Sequence, residues 1–391
     1  MLLNTALVVS ALVFIVVGYL LLRRKKKSNP PEEAPPRAVS RSDLYTDGPY
    51  ISYTEDQIVI HQVRIHEGKP TVVRNAMPLS ERSTLTFSCR TDSKIPVSFQ
   101  FALHERITIP PTEYNTPERL LAVSDIEGNF YALRSLLIGN RVIDKESNWI
   151  FGRGHLVLLG DFFDREINVI PCLWLIYKLE REAMASGGCV HFILGNHEEM
   201  NLRGDERYLQ EKYHRLADEL NVPYHQLLDN HTELGQWLRT KNAVEKIGDT
   251  LFVHGGISYL VEGSGLTLKE INRIVRRYLG LAEVEEEEGL LMLGNNGPLW
   301  YRGYFSENLT ERHISKVLRT YEARQIVVGH SVVPEIMALY GGILYAIDVH
   351  QPTEANKGPA QCLWMERGKF FVSNQEGLRR NVPVQKTSSI R

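Results

Sequence analysis

In five short stretches of this chain, an apolar run is followed, directly or after one small residue, by a residue that can bind a metal ion. The stretches are RLLAVSD, HLVLLGD, CVHFILGN, TLFVHGG and RQIVVGH, and the residues are Asp125, Asp161, Asn196, His254 and His330. Such runs are typical of strands in a sheet buried on both faces. Because ligands of open α/β sheets bind beyond the carboxyl ends of the strands, we expect these five side chains to converge on one rim.

The segments between these runs have the pattern of helices, which predicts an α/β fold. After the first run, NFYALRSLL places apolar residues 130, 133, 136 and 137 on one helical face. A single Asp or His after a strand is usually a turn residue, a helix cap or a satisfied surface group. Five in succession favour a shared site, and a set of Asp, Asn and His without Cys favours divalent ions that accept oxygen and nitrogen ligands.

The motifs at these strand ends resemble those of the calcineurin-like metallophosphoesterases. Within that family the chain is similar to the phosphoprotein-phosphatase branch, including the Shewanella-like phosphatases and the diadenosine-tetraphosphate hydrolases. The motifs that carry the likeness are Asp125-Ile-Glu127, GDFFDR (160–165), GNHE (195–198), HGG (254–256) and GH (329–330). Ser331 and Val332 follow His330, so the second histidine of a GHxH pattern does not exist, which favours the phosphatase branch over the nuclease and cyclic-nucleotide phosphodiesterase branches. The resemblance covers roughly residues 118–376 and implies an α/β/β/α sandwich with a two-metal site on one edge.

The resemblance also implies a role for each matching residue. Six residues would hold two divalent ions, with Asp161 shared between them: Asp125, Glu127, Asp161, Asn196, His254 and His330. Four would act on the substrate, His197 as proton donor steadied by Asp164, and two arginines on the phosphate oxygens: His197, Asp164, Arg165 and Arg302. Two such cations activate a hydroxide for in-line attack on phosphorus. We expect Mn²⁺ first, with Fe, Zn, Co or Mg²⁺ as alternatives, and no organic cofactor.

Glu127 departs from the family pattern, which mostly has histidine at this position. A glutamate can ligate a divalent ion at about 2.0–2.2 Å and would favour harder ions such as Mn²⁺ or Mg²⁺. Alternatively, Glu127 points away and the first metal is weak or absent. The sequence leaves both open.

Two classes of function follow. The first is a membrane-anchored phosphatase that hydrolyses phosphate monoesters, on phosphoprotein Ser/Thr or Tyr or on small esters, with dinucleoside polyphosphate hydrolysis as the alternative reaction. The second is a metal-deficient, non-catalytic binding protein. The His197, Asp164 and Arg165 set favours the enzyme. A net charge of −2 gives no support to a nucleic-acid partner.

The N-terminal sequence predicts a membrane anchor. Residues 1–22 contain no charged side chain, and as a helix they would span about 33 Å, enough for the hydrocarbon core of a bilayer. A cleaved signal peptide fits less well, because no basic region precedes the run and no clear cleavage site follows it. The basic cluster Arg23–Lys27 predicts a single-pass protein whose catalytic domain faces the cytoplasm. Residues 23–49 are then a basic, Pro-rich linker.

The remaining boundaries follow from changes of pattern. Residues 50–112 show a period of two and predict a small β domain without chemistry of its own, either packed against the next domain or binding a partner. Residues 118–378 form the metallophosphoesterase domain, and residues 379–391 a loose basic tail. About 55 residues between GNHE and HGG predict a helical insert, which is a substrate cap or a packing element.

Overall fold

The structure, a computed structural model, describes residues 46–306 and 309–385. The predicted anchor (residues 1–22), almost all of the predicted linker and the last residues of the predicted tail lie outside these ranges. Among the described residues, no helix has the length and apolar character needed to cross a bilayer.

The N-terminal β unit begins with an antiparallel meander of β1 (Asp47–Tyr53), β2 (Gln57–His66) and β3 (Lys69–Pro78). A hairpin of β4 (Thr86–Arg90) and β5 (Ser98–Ala102) follows after a 3₁₀ turn. Strand β1 starts inside the predicted linker 23–49, because the Gly48-Pro49 pair that signals a loop is accommodated in an irregular stretch of the β1–β2 pairing. The other four strands match the period-two segments of the sequence.

The strands of the larger domain form two six-stranded sheets. They are β6 (Glu113–Tyr114), β7 (Arg119–Val123), β8 (His155–Leu159), β9 (Cys189–Ile193), β10 (Val244–Ile247), β11 (Thr250–Val253), β12 (Gln325–Val328), β13 (Met337–Leu339), β14 (Leu344–Ala346), β15 (Gln361–Glu366), β16 (Lys369–Asn374) and β17 (Arg379–Asn381). One sheet has the order β17-β16-β15-β7-β8-β9 and the other β13-β14-β12-β11-β10-β6. Strand β17 pairs with β16, so the start of the predicted loose tail is an edge strand, since its backbone finds an open sheet edge.

The helices of the described residues are α1 (Phe130–Gly139), α2 (Val169–Ala185), α3 (Asn196–Arg203), α4 (Glu211–Leu220), α5 (Glu233–Arg239), α6 (Tyr259–Gly263), α7 (Leu268–Tyr278), α8 (Glu287–Leu293) and α9 (Glu311–Thr320). Helix α2 is buried around most of its circumference, as expected for a helix that is apolar on nearly every face. It packs on β9 on one side and on β1, β4 and β5 of the β unit on the other. The ring centroids of Trp174 and Phe101 lie 4.3 Å apart in this contact.

Parallel pairing fixes where the strands end. Strands β7, β8 and β9 run parallel in one sheet, and β11, β12 and β14 run parallel in the other. The sheets face each other across a continuous core, and His191 of β9 reaches Glu245 of β10 across it. The carboxyl ends of these six strands therefore deliver their next residues to one rim of the sandwich.

Candidate functional site

The rim brings together the strand-end residues that the sequence singled out. Asp125 follows β7, Asp161 follows β8, and Asn196 opens α3 after β9, while His254 and His330 follow β11 and β12. One ligand atom from each of Asp161, His254 and His330 lies within 4.8 Å of the other two, and all three residues are buried. The three residues come from two different sheets, so the site lies at the rim where the two sheets meet.

The backbone at the rim is strained at the residues that carry the chemistry. Left-handed φ angles, which non-glycine residues rarely adopt, occur at Asp125 (53°), Glu127 (49°), Asp161 (58°), Asp164 (69°), Arg165 (60°) and His330 (63°). Each costs of order 1–3 kcal/mol and persists only where the surroundings enforce it. Their concentration at one rim indicates a site whose geometry is imposed by the fold.

Two motif glycines explain how the strand ends approach so closely. A Cβ on Gly195 would lie 2.2 Å from Oδ1 of Asp161, and one on Gly329 would lie 2.0 Å from Oγ of Ser124. Neither space can hold a methyl group without moving the carboxylates of the site. The glycines of the GN and GH motifs therefore permit the close approach of the ligating groups.

Backbone carbonyls orient the two histidines. Nδ1 of His254 lies 2.7 Å from the carbonyl oxygen of Leu159, and Nε2 of His330 lies 3.1 Å from that of Trp300. A carbonyl only accepts hydrogen bonds, so these nitrogens carry protons. In the neutral rings, the lone pairs therefore lie on the opposite nitrogens, as is usual for histidines that bind metals.

The lone-pair nitrogen of His254 meets two other acceptors. Its Nε2 lies 3.1 Å from Oδ2 of Asp161 and 3.2 Å from Oδ1 of Asn196. Three acceptors that converge in a buried place need a proton or a cation between them. This arrangement fits a divalent ion, which Asp161, Asn196, His254 and His330 would hold.

The pKa values show how strongly this pocket favours positive charge. Burial lowers the pKa of His254, but Asp161 and Asp125 outweigh it and raise the pKa to about 9. Burial likewise raises the pKa of Asp161, yet His254 and His197 hold it well below its usual range. Burial raises the pKa of Asp125 to about 6, and Asp161 adds to the increase. A cation bound here would replace the protons that the raised pKa values of His254 and Asp125 place in the pocket.

His197 is held in the pocket by hydrogen bonds, but it is not one of the three converging acceptors. Its Nδ1 lies 2.6 Å from Oδ2 of Asp164, and Nδ2 of Asn201 donates to the same oxygen at 3.0 Å. Its other nitrogen, Nε2, lies 3.8 Å from Oδ2 of Asp161. Burial lowers the pKa of His197, but Asp161 and the hydrogen bond to Asp164 raise it to about 10. The imidazole therefore holds a proton that it can give to a group in the pocket.

Glu127 pairs with Arg165. Its Oε1 lies 2.7 Å from Nε of Arg165. Burial raises the pKa of Glu127 to about 8, although Arg165 lowers it and the charges of Asp125 and Asp161 raise it further. The carboxylate of Glu127 therefore lies near Asp125 and Asp161 and also contacts Arg165.

The predicted helical insert contributes one ring to the site. Tyr208, between α3 and α4, has its ring centroid 5.3 Å from that of His197. The guanidinium carbon of Arg165 lies 5.5 Å from the centroid of the same ring. The predicted phosphate ligand Arg302 lies on the other side of the rim, where its Nη1 donates to the carbonyl of His330 at 2.5 Å.

Two buried carboxylates of this region have no assigned role in the sequence analysis. Asp348 lies two residues beyond Ala346, which pairs with Val328, so it stands beside His330 at a sixth strand end. Burial and the charges of Asp125 and Glu127 raise the pKa of Asp348 well above its usual value. His330 and Asp348 each lie two residues beyond a paired strand residue, and this equal spacing is the signal that could have identified Asp348.

The second of these carboxylates is Glu198, the last residue of GNHE. It accepts hydrogen bonds from the backbone N–H groups of Asp161 at 2.9 Å, Phe162 at 2.7 Å and Gly195 at 2.7 Å. Its position three residues into α3, where capping glutamates stand, is the sequence signal for this role. Glu198 thereby ties the loop after β8 to the loop after β9.

Comparison with known proteins agrees with this geometry. The family model described as calcineurin-like phosphoesterase matches residues 118–334. Shewanella-like protein phosphatase 1 of Plasmodium berghei (strain Anka) is 27% identical over 259 residues, which are 62% of this chain and 70% of that protein. Shewanella-like protein phosphatase 2 of Arabidopsis thaliana is 26% identical over 268 residues, covering 56% and 68% of the two chains.

A solved structure is similar over most of the described chain. The cold-active protein-tyrosine phosphatase of a psychrophilic Shewanella species has a TM-score of 0.75 and 31% identity, over 87% of this chain and all of that one. The relatives and the family match confirm the predicted enzyme class, a phosphoric monoester hydrolase. Since the family model spans more than half of the sequence, the chain belongs to the calcineurin-like phosphoesterase family.

Proposed function

We propose that this chain is a membrane-anchored, metal-dependent phosphatase that removes phosphoryl groups from phosphorylated protein side chains. The observation that carries the proposal is the buried convergence of His254, Asn196 and Asp161 acceptors beside a protonated His197. Two divalent ions bound there would lower the pKa of a water and neutralise charge that develops on the phosphoryl group. Glu127 would complete the first site with a carboxylate oxygen.

The side chains around this centre bind the phosphoryl oxygens and protonate the leaving group. Arg165 and Arg302 flank the rim, and a guanidinium can bind two phosphoryl oxygens at once. His197 donates its Nε2 proton to the leaving oxygen of the ester. Asp164 accepts from Nδ1 of His197, which keeps the ring oriented and protonated.

Phosphotyrosine is the favoured substrate residue. The leaving group departs beside His197, and the ring of Tyr208 lies there, half-buried, at a centroid distance of 5.3 Å from the imidazole. An aryl leaving group could stack on such a ring, whereas the short alkyl esters of phosphoserine could not. A solved relative is named as a protein-tyrosine phosphatase, which supports the same choice.

The membrane part of the proposal is supported by the sequence. The uncharged residues 1–22 are long enough to span a bilayer, and Arg23–Lys27 follow at once. The catalytic domain would then face the cytoplasm. A cysteine introduced near residue 40 should resist an impermeant labelling reagent in intact cells, and ready labelling would reverse the topology.

Turnover of para-nitrophenyl phosphate tests the enzyme proposal. Chelation should abolish the activity and added Mn²⁺ should restore it, while the variant His254→Ala should stay inactive after add-back. A panel of phosphopeptides then compares phosphotyrosine with phosphoserine, in the wild type and in Tyr208→Leu, which should lose the tyrosine preference. Activity that ignores the chelator would refute the metal site, and an unchanged preference in Tyr208→Leu would refute the role of the ring.

A further inference from the structure

The segment between β8 and α2 carries two residues of the proposed mechanism on a strained backbone. Asp164 and Arg165 have φ angles of 69° and 60°, in the left-handed region that favours glycine. Such a conformation persists only where neighbouring groups hold it. The contacts of the next three residues, 166–168, show which groups do so.

Helix α4 holds the backbone just after Arg165. The ammonium of Lys212 donates to the carbonyl of Ile167 at 2.7 Å, and the hydroxyl of Tyr213 donates to the same oxygen at 3.0 Å. The Tyr213 hydroxyl also accepts from the N–H of Val169 at 2.9 Å. The peptide units on both sides of this turn are therefore fixed by two adjacent residues of one helix.

The charge of Lys212 is balanced by the N-terminal β unit. Its side chain is only 5% exposed, and Nζ lies 3.3 Å from Oδ1 of Asp47 and 3.5 Å from Oδ2 of Asp92. Both aspartates are buried as well. A buried ammonium without partners is strongly unfavourable, and these carboxylates allow Lys212 to reach the Ile167 carbonyl.

The same β unit contacts the turn a second time. The N–H of Asp92 donates to Oδ1 of Asn168 at 2.7 Å, and Nδ2 of Asn168 donates back to the Asp92 carbonyl at 3.1 Å. The N–H of Asn168 in turn donates to the carbonyl of Gly128, next to Glu127, at 3.2 Å. One residue of the β unit is thus linked to the backbone on both sides of the Glu127–Arg165 pair.

We infer that the N-terminal β unit is a positioning element of the active site. Asp47 and Asp92 hold Lys212, Lys212 holds the Ile167 carbonyl, and this chain of contacts sets the placement of Arg165. The inference rests on the proposed function for the role of Arg165 in phosphate binding. Lys212 is a positioning residue, since it acts through the turn and touches no reacting atom.

Lys212→Met is the test variant, because methionine fills the space without the charge or the donor. Lys178→Met is the matched control: Lys178 is equally buried and bonded to the Ser147 carbonyl and to Glu182, on the far part of α2. In Lys212→Met, KM for para-nitrophenyl phosphate and Ki for inorganic phosphate should rise at least about tenfold, with kcat and metal content little changed. The control should leave both constants near wild type.

A double-mutant cycle separates positioning from general loss of structure. In an Arg165→Ala background, Lys212→Met should have little further effect on the Ki of phosphate, because the group that it positions is absent. Lys212→Arg, which keeps a buried donor and charge, should recover part of the affinity. Additive effects in the cycle, or equal losses in the Lys178 control, would overturn the inference.

Amide hydrogen exchange gives a readout that does not depend on turnover. Exchange at residues 166–169 should accelerate in Lys212→Met and in Asp92→Asn, while exchange at residues 251–254 of β11 and its end stays at the wild-type rate. Unchanged exchange at 166–169 overturns the positioning role, whether or not the protein hydrolyses phosphate esters. A wild-type protein without turnover refutes the proposed function alone, and the exchange comparison still decides the inference.

Discussion

Nδ1 of His197 lies 2.6 Å from Oδ2 of Asp164, and the backbone N–H of the same histidine donates to Oδ1 of Asp161 at 2.9 Å. One carboxylate thus orients the ring and another anchors its main chain. The Nε2–H is left as the ring donor that faces the pocket. This arrangement separates the histidine that gives a proton from the histidines that would hold a metal.

His197→Ala should lower kcat by about 10²–10⁴-fold for alkyl phosphates, because the leaving oxygen loses its proton donor. The loss should be smaller for aryl phosphates, whose leaving groups need less protonation. Metal content, measured by mass spectrometry, should stay near the wild-type value. An equal loss for aryl and alkyl esters would argue against proton donation by His197.

Asp164→Asn serves as the partner variant. The amide keeps the size of the side chain but cannot stabilise the imidazolium, so kcat should fall and its dependence on leaving group should steepen in the same sense as in His197→Ala. The double variant should be little worse than His197→Ala alone, because the two residues act as one unit.

Glu127→Ala should reduce the bound metal from two ions toward one, because the ion held with Asp125 loses a negative ligand. Glu127→His should restore the family ligand and shift the preference from Mn²⁺ or Mg²⁺ toward ions that favour imidazole, such as Zn²⁺ or Fe²⁺. Metal stoichiometry after dialysis against each ion measures both effects.

Arg165→Ala is the control for the Glu127 prediction, since it breaks the same 2.7 Å contact from the other side. It should weaken phosphate binding and leave the metal stoichiometry intact. If Glu127→Ala also leaves stoichiometry and ion preference unchanged, the carboxylate serves Arg165 alone and the first metal is held without it.

The strands that build the rim could be predicted because their signal is local. Each run from RLLAV to QIVV is apolar and short, and each is followed by its own polar residue, so no knowledge of distant contacts was needed. The α/β class followed from the same pattern, whereas the sandwich was implied by the resemblance to the calcineurin-like family. Strand β17 was missed, because its sequence is polar and it forms only by pairing with an edge of an existing sheet.

The contacts of the site that join distant parts of the chain could not be predicted. Lys212 reads as a surface lysine of an amphipathic helix, and its burial depends on aspartates more than a hundred residues away. The pairing of Glu127 with Arg165 depends on left-handed backbone angles, which the residue types at these positions do not predict. Asp348 is visible only after the register of β12 and β14 is known.

Glu233 ties the β unit to the larger domain. Its carboxylate is fully buried, accepts from Nη2 of Arg82 at 3.0 Å, and accepts short hydrogen bonds from the hydroxyls of Tyr53 and Tyr177. Glu233→Ala should lower the free energy of unfolding by about 3–5 kcal/mol, since the buried Tyr177 and the half-buried Tyr53 and Arg82 lose their acceptor. Glu366→Ala, which breaks only the exposed pair with Arg379, should cost less than about 1 kcal/mol. Urea unfolding measures both, and similar values would contradict the bridging role.

Next to the contact between the two sheets, a pair of histidines on β8 and β9 has opposite pKa shifts. His191 Nδ1 lies 2.6 Å from Oε2 of Glu245, and its Nε2 lies 3.0 Å from Nδ1 of His155. Burial lowers the pKa of His191, but the neighbouring Cys189 and the hydrogen bond to Glu245 raise it to about 10. Burial and the neighbouring His191 lower the pKa of His155 to about 4. The charged ring donates on both sides, and the neutral ring accepts.

Each shift gives a different pH dependence of stability. The unfolded chain releases the His191 proton near pH 6.5 and the folded chain only near 10, so this stabilisation is complete below pH 6.5 and is lost as the pH rises to 10. The unfolded chain protonates His155 near pH 6.5 and the folded chain only near 4, so stability falls as the pH drops through that window. In urea unfolding, His191→Gln should flatten the alkaline loss, and His155→Gln, whose amide oxygen can still accept from His191, should flatten the acid loss. If neither variant changes the slope in its own window, the assigned protonation states are wrong.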